Sequence, residues 1–155
     1  MPVIEPGQPA PAFSLPDQHD TIHTLAGYAG RPLVLYFYPK DDTSGCTKEA
    51  CTFQAALPDF DTRHAAVLGV SVLDSASKAK FAKKYDLSFP LLADADHAVA
   101  DRYGAWQQKS MYGRKYLGVA RITYLIGPDG TVARRWDAVK PAEHPAEVLA
   151  AIAAL

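Results

Sequence analysis

The order of apolar and helix-forming segments along the chain predicts a three-layer α/β fold with a mixed β-sheet. Two continuous apolar segments, Leu33–Tyr38 and Val67–Val72, have the β-branched and aromatic composition of buried central strands. A segment with helical apolar spacing lies between them, and Gly127-Pro-Asp-Gly130 forms a strong turn signal between two later strand-like segments. Strands linked by helices and followed by an antiparallel hairpin are typical of a mixed sheet covered by helices.

The N-terminal elements are extended in this prediction. Four prolines among residues 1–11 forbid a helix and favour a lead-in over the surface. Short strands around Phe13–Leu15 and Thr21–His23, separated by a turn at Pro16-Asp17-Gln18, predict an N-terminal β-hairpin extension. The first strong strand, Leu33–Tyr38, then stops at Pro39.

The remaining elements alternate in the same way. After the loop 40–45 the apolar spacing predicts a helix that starts near Cys46 and is kinked or ended by Pro58. The later segments predict a helix at 75–85, a strand at 90–93, a helix near 98–103, strands at 119–126 and 131–136, and a last helix reaching Leu155. Thioredoxin-like folds have this order of elements, and we expect residues 1–155 to form a single domain.

Composition narrows the classes of function. The chain has 155 residues, of which 48% are hydrophobic and 21% charged, as in an ordinary globular domain. Sixteen basic and seventeen acidic residues leave a formal charge of -1, which offers no field to attract nucleic acid or a membrane surface. No signal-peptide pattern or membrane-length apolar segment is present, so we expect a cytoplasmic protein whose two cysteines are reduced and reactive.

Cys46 is the strongest candidate for chemistry. It lies just after a buried strand at the predicted start of a helix, where unpaired N–H groups and the helix dipole favour a thiolate. Thr43 places a hydroxyl three residues earlier, within reach of the sulfur in a tight loop. Arg121 interrupts an otherwise apolar strand, which indicates an anionic partner inside the fold.

The stretch from Pro39 to Cys46 resembles the P-x-x-x-T-x-x-C signature of peroxiredoxins. The longer string from Phe37 to Cys51 is similar to the bacterioferritin-comigratory, or Q, subfamily, and the similarity extends over nearly the whole chain. Two departures from the family pattern are Ser44, where proline is common, and Val72-Leu73 in place of Pro-Asp. Both affect the expected shape of loops and leave the matched catalytic residues unchanged.

The resemblance implies a peroxidase that reduces hydrogen peroxide or an organic hydroperoxide without a cofactor. Cys46 would attack the peroxide and Cys51 would resolve the product as an intramolecular disulfide, the atypical two-cysteine mechanism. Thr43 would position the peroxide, Arg121 would complete the site, and Pro39 would shield the thiolate. A thioredoxin-like protein is the expected reductant, and we expect the chain to act as a monomer.

Two other functions remain open at this point. The chain could be a thiol-disulfide oxidoreductase, but that chemistry favours cysteines separated by two residues. It could also be a redox-sensing or chaperone module with the same fold. A zinc site is disfavoured, because Cys46, Cys51 and His64 mimic three ligands of a zinc finger but no fourth ligand follows.

Residues 106–116 interleave basic and aromatic side chains, as surfaces that bind nucleic acid do. The balanced net charge argues against that use. We expect this segment to be a loop that borders the active site and touches a reductant protein.

Overall fold

The structure is a computed structural model that describes all residues 1–155. Its strands are β1 (Ser14–Pro16), β2 (Ile22–Thr24), β3 (Leu33–Phe37), β4 (Ala66–Ser71), β5 (Leu91–Ala93), β6 (Trp106–Met111), β7 (Arg114–Val119), β8 (Ile122–Ile126) and β9 (Val132–Trp136). Its α-helices are α1 (Ser44–Thr62), α2 (Ser75–Tyr85), α3 (Ala98–Arg102) and α4 (His144–Ala153). None of these helices combines the length and the apolar character needed to cross a membrane.

Five strands form the central sheet in the order β5-β4-β3-β8-β9. Strand β3 lies in the middle, parallel to β4 and antiparallel to β8, so that Val34 is flanked by Val67 and Leu125. Strand β5 is parallel to β4, and β9 is antiparallel to β8. The predicted mixed sheet is therefore confirmed.

The two faces of β3 explain why this strand is apolar at every position. Leu33, Leu35 and Phe37 pack into one buried cluster with residues of the N-terminal segment and α3. Val34 and Tyr36 point the other way, into a second cluster with α1, α2 and α4. Because side chains alternate along a strand, a strand covered on both faces needs apolar residues throughout. The sheet thus has a layer on each side, which confirms the three-layer α/β prediction.

Helix α1 does not end at Pro58, as the sequence suggested it could. It runs without a break from Ser44 to Thr62. Proline removes one backbone donor and one helical hydrogen bond. Phe53 and Phe60, on either side of Pro58, are fully buried and hold the helix against the sheet. This burial offsets the lost hydrogen bond, and tertiary packing overrides the local preference.

The predicted strand at 119–126 is observed only from Ile122 onward. Strand β7 ends at Val119 and β8 begins at Ile122, so Arg121 lies in the link between them. The Ala120 N–H donates to the Ala105 carbonyl at 2.7 Å, which ties the link to the start of β6. Arg121 therefore lies in the short link between the β6–β7 sheet and the central sheet, and not inside a strand.

The segment expected to be a loop, residues 106–116, instead contributes to a β-hairpin. Strands β6 and β7 pair only with each other, with Lys109 opposite Tyr116. Tyr112 and Gly113 form the two-residue turn, and both have positive φ angles of 51° and 79°. Two-residue turns of this kind match the twist of paired strands. The many polar residues hid the strand pattern in the sequence.

The N-terminal hairpin is observed close to its predicted position. Strands β1 and β2 are antiparallel, with Leu15 opposite His23. Before them, the lead-in has no helix and bonds to the far edge of the sheet, where the Gly7 N–H donates to the Val132 carbonyl at 2.8 Å. The N-terminal β-hairpin extension is therefore confirmed.

Candidate active site

Cys46 lies in the first turn of α1, below the loop that leaves β3. Its exposed fraction is 1%, so the sulfur is shielded from bulk water. Thr43 is extended and caps the helix, and its carbonyl accepts the Thr47 N–H at 2.8 Å. The sulfur therefore lies near the positive end of a helix dipole, which favours a negative charge there.

Arg121 brings a cation to this sulfur from the link between β7 and β8. Its Nη2 donates to Cys46 Sγ at 3.2 Å, and its Nη1 donates to Glu49 Oε1 at 2.5 Å. Gly45 makes room for this contact, because a Cβ on residue 45 would lie 3.2 Å from the same Nη2. One guanidinium thus holds the thiol and a carboxyl group in a fixed arrangement.

Glu49 is a site residue that the sequence analysis missed. It is completely buried, and its position three residues after Cys46 puts both side chains on one face of α1. Burial raises the pKa of Glu49 from 4.5 to about 7, and the positive charge of Arg121 opposes that rise. A charged residue on the face of α1 that carries Ala50 and Phe53 was the signal that could have identified it.

The other two candidate residues lie in the loop between β3 and α1. The Thr43 hydroxyl is exposed and donates to the Lys40 carbonyl at 3.0 Å, so it makes no hydrogen bond to Cys46. Pro39 is half-buried, and its carbonyl accepts a hydrogen bond from the Ser71 hydroxyl at 3.2 Å. The structure thus places Arg121 directly on the sulfur, while the Thr43 hydroxyl points to the backbone of its own loop.

A buried ion pair anchors this loop to α2. Lys78 is fully buried, and its Nζ donates to Asp41 Oδ2 at 2.9 Å and to the Val72 carbonyl at 2.6 Å. Tyr38 and Ser77 donate their hydroxyls to the two oxygens of the same carboxylate, each at 2.6 Å. Because both oxygens of Asp41 accept hydrogen bonds, and those from Ser77 and Lys78 come from α2, these contacts hold the loop above the start of α1.

Cys51 lies one and a half turns further along α1. It is partly buried and packs against the apolar cluster beneath α1 and α4. Both cysteines are free thiols, and α1 is continuous between them. No group of three His, Cys, Asp or Glu side chains is placed to hold a metal ion.

Glu49→Gln tests the electrostatics of the pocket. A carboxyl group with a raised pKa binds its proton more tightly in the folded chain than in the unfolded chain, so its contribution to stability falls as pH rises from about 4.5 to about 7. The wild type should therefore lose up to about 3 kcal/mol of unfolding free energy relative to Glu49→Gln as the pH rises over this range. Urea denaturation at several pH values measures it.

Asp59→Asn is the matched control, because Asp59 is an exposed carboxyl group on the same helix. This variant should keep the pH dependence of the wild type. Parallel stability curves for Glu49→Gln and the wild type between pH 4.5 and 7 would contradict the raised pKa.

Known proteins resemble the chain in both sequence and structure. The AhpC/TSA family matches residues 6–135. Peroxiredoxin Bcp of Xanthomonas campestris is 44% identical over 148 residues, which cover 94% of this chain and 92% of that protein. Peroxiredoxin Bcp of Bacillus subtilis is 40% identical over 146 residues, which cover 94% and 93%.

Solved structures agree with these sequence matches. A cysteine-to-serine mutant of Xylella fastidiosa PrxQ superposes with a TM-score of 0.91 at 35% identity and covers 97% of this chain and 96% of that one. The bacterioferritin comigratory protein of X. campestris, studied for its alkyl peroxide reduction activity, superposes with a TM-score of 0.86 at 42% identity, covering 92% and 90%. With its two free thiols, one of them hydrogen-bonded to a partly buried arginine, the chain belongs to the AhpC/TSA family and is a peroxiredoxin of the Bcp, or PrxQ, type, a thiol peroxidase.

Proposed function

We propose that Cys46 reduces hydrogen peroxide and organic hydroperoxides, that Cys51 resolves the product, and that a thioredoxin-type protein recycles the enzyme. The hydrogen bond from Arg121 Nη2 to Cys46 Sγ, at 3.2 Å, is the observation that carries this assignment. It places a fixed positive charge on the sulfur of a buried cysteine. Cys51 has no such partner and lies further from the start of the helix.

The first step is attack of the Cys46 thiolate on one oxygen of the peroxide. The O–O bond breaks, the sulfur keeps one oxygen as a sulfenic acid, and the second oxygen leaves with a proton as water or an alcohol. Negative charge moves from the sulfur to the departing oxygen during this step. Arg121 has donors next to the sulfur, so its guanidinium can stabilise that oxygen without rearranging.

Glu49, Pro39 and Thr43 support this step in different ways. Glu49 positions the guanidinium of Arg121 through its own hydrogen bond. Pro39 lies in the anchored loop and restricts access of water to the thiolate. Thr43 needs only a rotation of its side chain to turn the hydroxyl from the Lys40 carbonyl toward a bound peroxide.

In the second step the Cys51 thiol condenses with the sulfenic acid, which releases water and forms an intramolecular disulfide. A dithiol protein then reduces this disulfide by exchange, gives two electrons to the enzyme and leaves as a disulfide itself. The spacing of the two cysteines sets a geometric condition on the condensation. Five residues along an α-helix separate Cα atoms by roughly 8.7 Å, whereas a disulfide tolerates at most about 7 Å.

Cys46→Ser and Cys51→Ser distinguish the roles of the two cysteines. Cys46→Ser should lose all peroxidase activity, whereas Cys51→Ser should consume about one equivalent of peroxide and stop as a sulfenic acid. The measurement counts titratable thiols within seconds of adding peroxide to the reduced protein. The wild type should lose two thiols at low peroxide, and a thiol-disulfide oxidoreductase should lose none. Full turnover by Cys46→Ser with thioredoxin would contradict the assignment of peroxide attack to Cys46.

Arg121→Met tests the cation beside the sulfur. The rate constant for peroxide reduction should fall about 100-fold to 1,000-fold, because the departing oxygen loses its donors. Stopped-flow measurements from neutral to high pH check this against the thiolate fraction read from ultraviolet absorbance. Arg121→Lys keeps the positive charge but loses the two-pronged guanidinium donor, so its rate constant should lie between those of Arg121→Met and the wild type. Recovery of the wild-type rate by Arg121→Met at high pH would show that Arg121 acts on ionisation alone.

The helix geometry predicts that the first turns of α1 open in every catalytic cycle. Amide hydrogens of residues 43–53 should exchange faster in the disulfide form than in the reduced form, because helical hydrogen bonds must break before the cysteines can meet. Hydrogen exchange followed by mass spectrometry measures this, with α2 as the internal control that should not change. A structure of the oxidised enzyme with α1 regular from Cys46 onward and a disulfide to Cys51 would contradict the prediction.

A further inference from the structure

The β6–β7 hairpin stands apart from the rest of the fold. Its two strands bond only to each other, and at its base Trp106 and Val119 pack onto the main core. Apolar side chains on the outer part are exposed, with exposed fractions of 57% for Met111, 100% for Tyr112 and 61% for Leu117. Large apolar side chains grouped on one exposed element are a mark of an interaction surface.

This hairpin borders the active site. Strand β7 leads through Ala120 directly to Arg121, whose guanidinium bonds to Cys46. Lys109 on β6 is half-buried beside the same pocket, where burial and the charge of Arg121 both lower its pKa. Tyr116, directly opposite Lys109, shares its face of the hairpin. A protein seated on this face would therefore lie next to the reactive sulfur.

The charge of this region has one sign. Residues 102–128 contain five basic side chains and no aspartate or glutamate, so all seventeen acidic residues of the chain lie elsewhere. The basic residues are Arg102, Lys109, Arg114, Lys115 and Arg121. Lys109, Arg114 and Lys115 lie on the hairpin and Arg121 on the link that follows it, so this part of the chain is positive although the whole chain has a formal charge of only -1. Such a surface attracts a partner of negative charge and raises its rate of association.

We propose that the β6–β7 hairpin is the docking surface for the reductant, a dithiol protein whose own active cysteines are surrounded by acidic residues. This inference rests on the proposed disulfide between Cys46 and Cys51. The thiolate of the partner attacks one sulfur of that disulfide, a mixed disulfide forms, and the second thiol of the partner releases both enzyme thiols. Met111 and Tyr112 supply the apolar contact. Arg114, opposite Met111, adds positive charge on the face of Lys109 and Tyr116. Lys115, on the other face near the tip, adds to the attraction at longer range.

Two other occupants fit the surface less well. A second copy that docked hairpin to hairpin would bring like charges together, which disfavours the contact. An anionic lipid surface matches the charge but brings no dithiol to the disulfide. Only a reductant protein must reach the oxidised cysteines in each cycle, and the hairpin lies where it would have to approach.

Arg114→Glu combined with Lys115→Glu tests the proposal. The probe is a thioredoxin of net negative charge, supplied with its reductase and NADPH. The kcat/KM for thioredoxin should fall about tenfold or more at low salt, because charge attraction becomes repulsion. The wild-type value should decrease as salt is added, and the variant value should not. Tyr112→Ser should lower kcat/KM at every salt concentration, since it removes an apolar contact.

Lys80→Glu combined with Lys83→Glu is the matched control, because both lysines are exposed on α2 and the change in net charge is identical. This control should keep the wild-type kcat/KM for thioredoxin. Thiol loss after peroxide and reduction by dithiothreitol should be equal in all three proteins, which isolates the docking step.

Three outcomes would overturn the inference. An equal fall of kcat/KM in the α2 control would show a general effect of net charge. An unchanged kcat/KM in the hairpin variant would place docking elsewhere. The third outcome is that the substitutions do not affect thioredoxin turnover, while the wild-type protein binds anionic phosphatidylglycerol vesicles or self-associates through the hairpin. The surface would then belong to that other occupant. Failure of the proposed disulfide itself is recognised separately, because the wild type would then not lose two thiols to peroxide.

Discussion

The contact between Arg121 and two acidic side chains of α1 is the interaction on which the rest of the site depends. A single guanidinium bonds to Cys46 Sγ and to Glu49 Oε1 in a pocket from which most water is excluded. Charges interact more strongly there than at a surface, because the effective dielectric constant is lower. Burial of the Glu49 carboxyl disfavours its charged form and raises its pKa to about 7, and the positive charge of Arg121 opposes that rise.

The elements around this contact anchor the loop before α1 but leave Cys46 in a helix end that can move. Strand β3 ends beneath the site, and the Asp41–Lys78 pair anchors the loop that follows it. Cys46 itself lies in the first turn of a helix, which in general opens more easily than the middle of a helix. Cys51 lies further along the helix and is partly buried against the apolar cluster. The arrangement therefore combines a firm anion site with a helix end that can unwind to bring the two sulfurs together.

The hairpin and the active site share one structural device. Residues 120–121 join β7 to β8, so the segment that carries Arg121 to the sulfur also positions the hairpin beside it. The positive charge of Arg121 beside the sulfur and that of Arg114 and Lys115 on the hairpin therefore lie on one short segment of chain. Any movement of the link between β7 and β8 would affect both the pocket and the hairpin, which would couple the proposed docking to the state of the pocket.

Features determined by short stretches of chain could be predicted from the sequence. Continuous apolar composition identified β3 and β4, and helical apolar spacing identified α1 and its start near Cys46. The pattern from Pro39 to Cys46 indicated the chemistry for the same reason, since its residues are neighbours in both sequence and space.

Contacts between distant residues were decided only by the tertiary structure. Arg121 was singled out because it interrupts apolar sequence, but its fork between Cys46 and Glu49 depends on the break between β7 and β8, 75 residues from the sulfur. Glu49 became a site residue because folding buries it opposite that guanidinium. The continuation of α1 past Pro58 likewise depends on packing against the sheet. Local propensities set which elements form, whereas burial and charge pairing across the chain set what they do together.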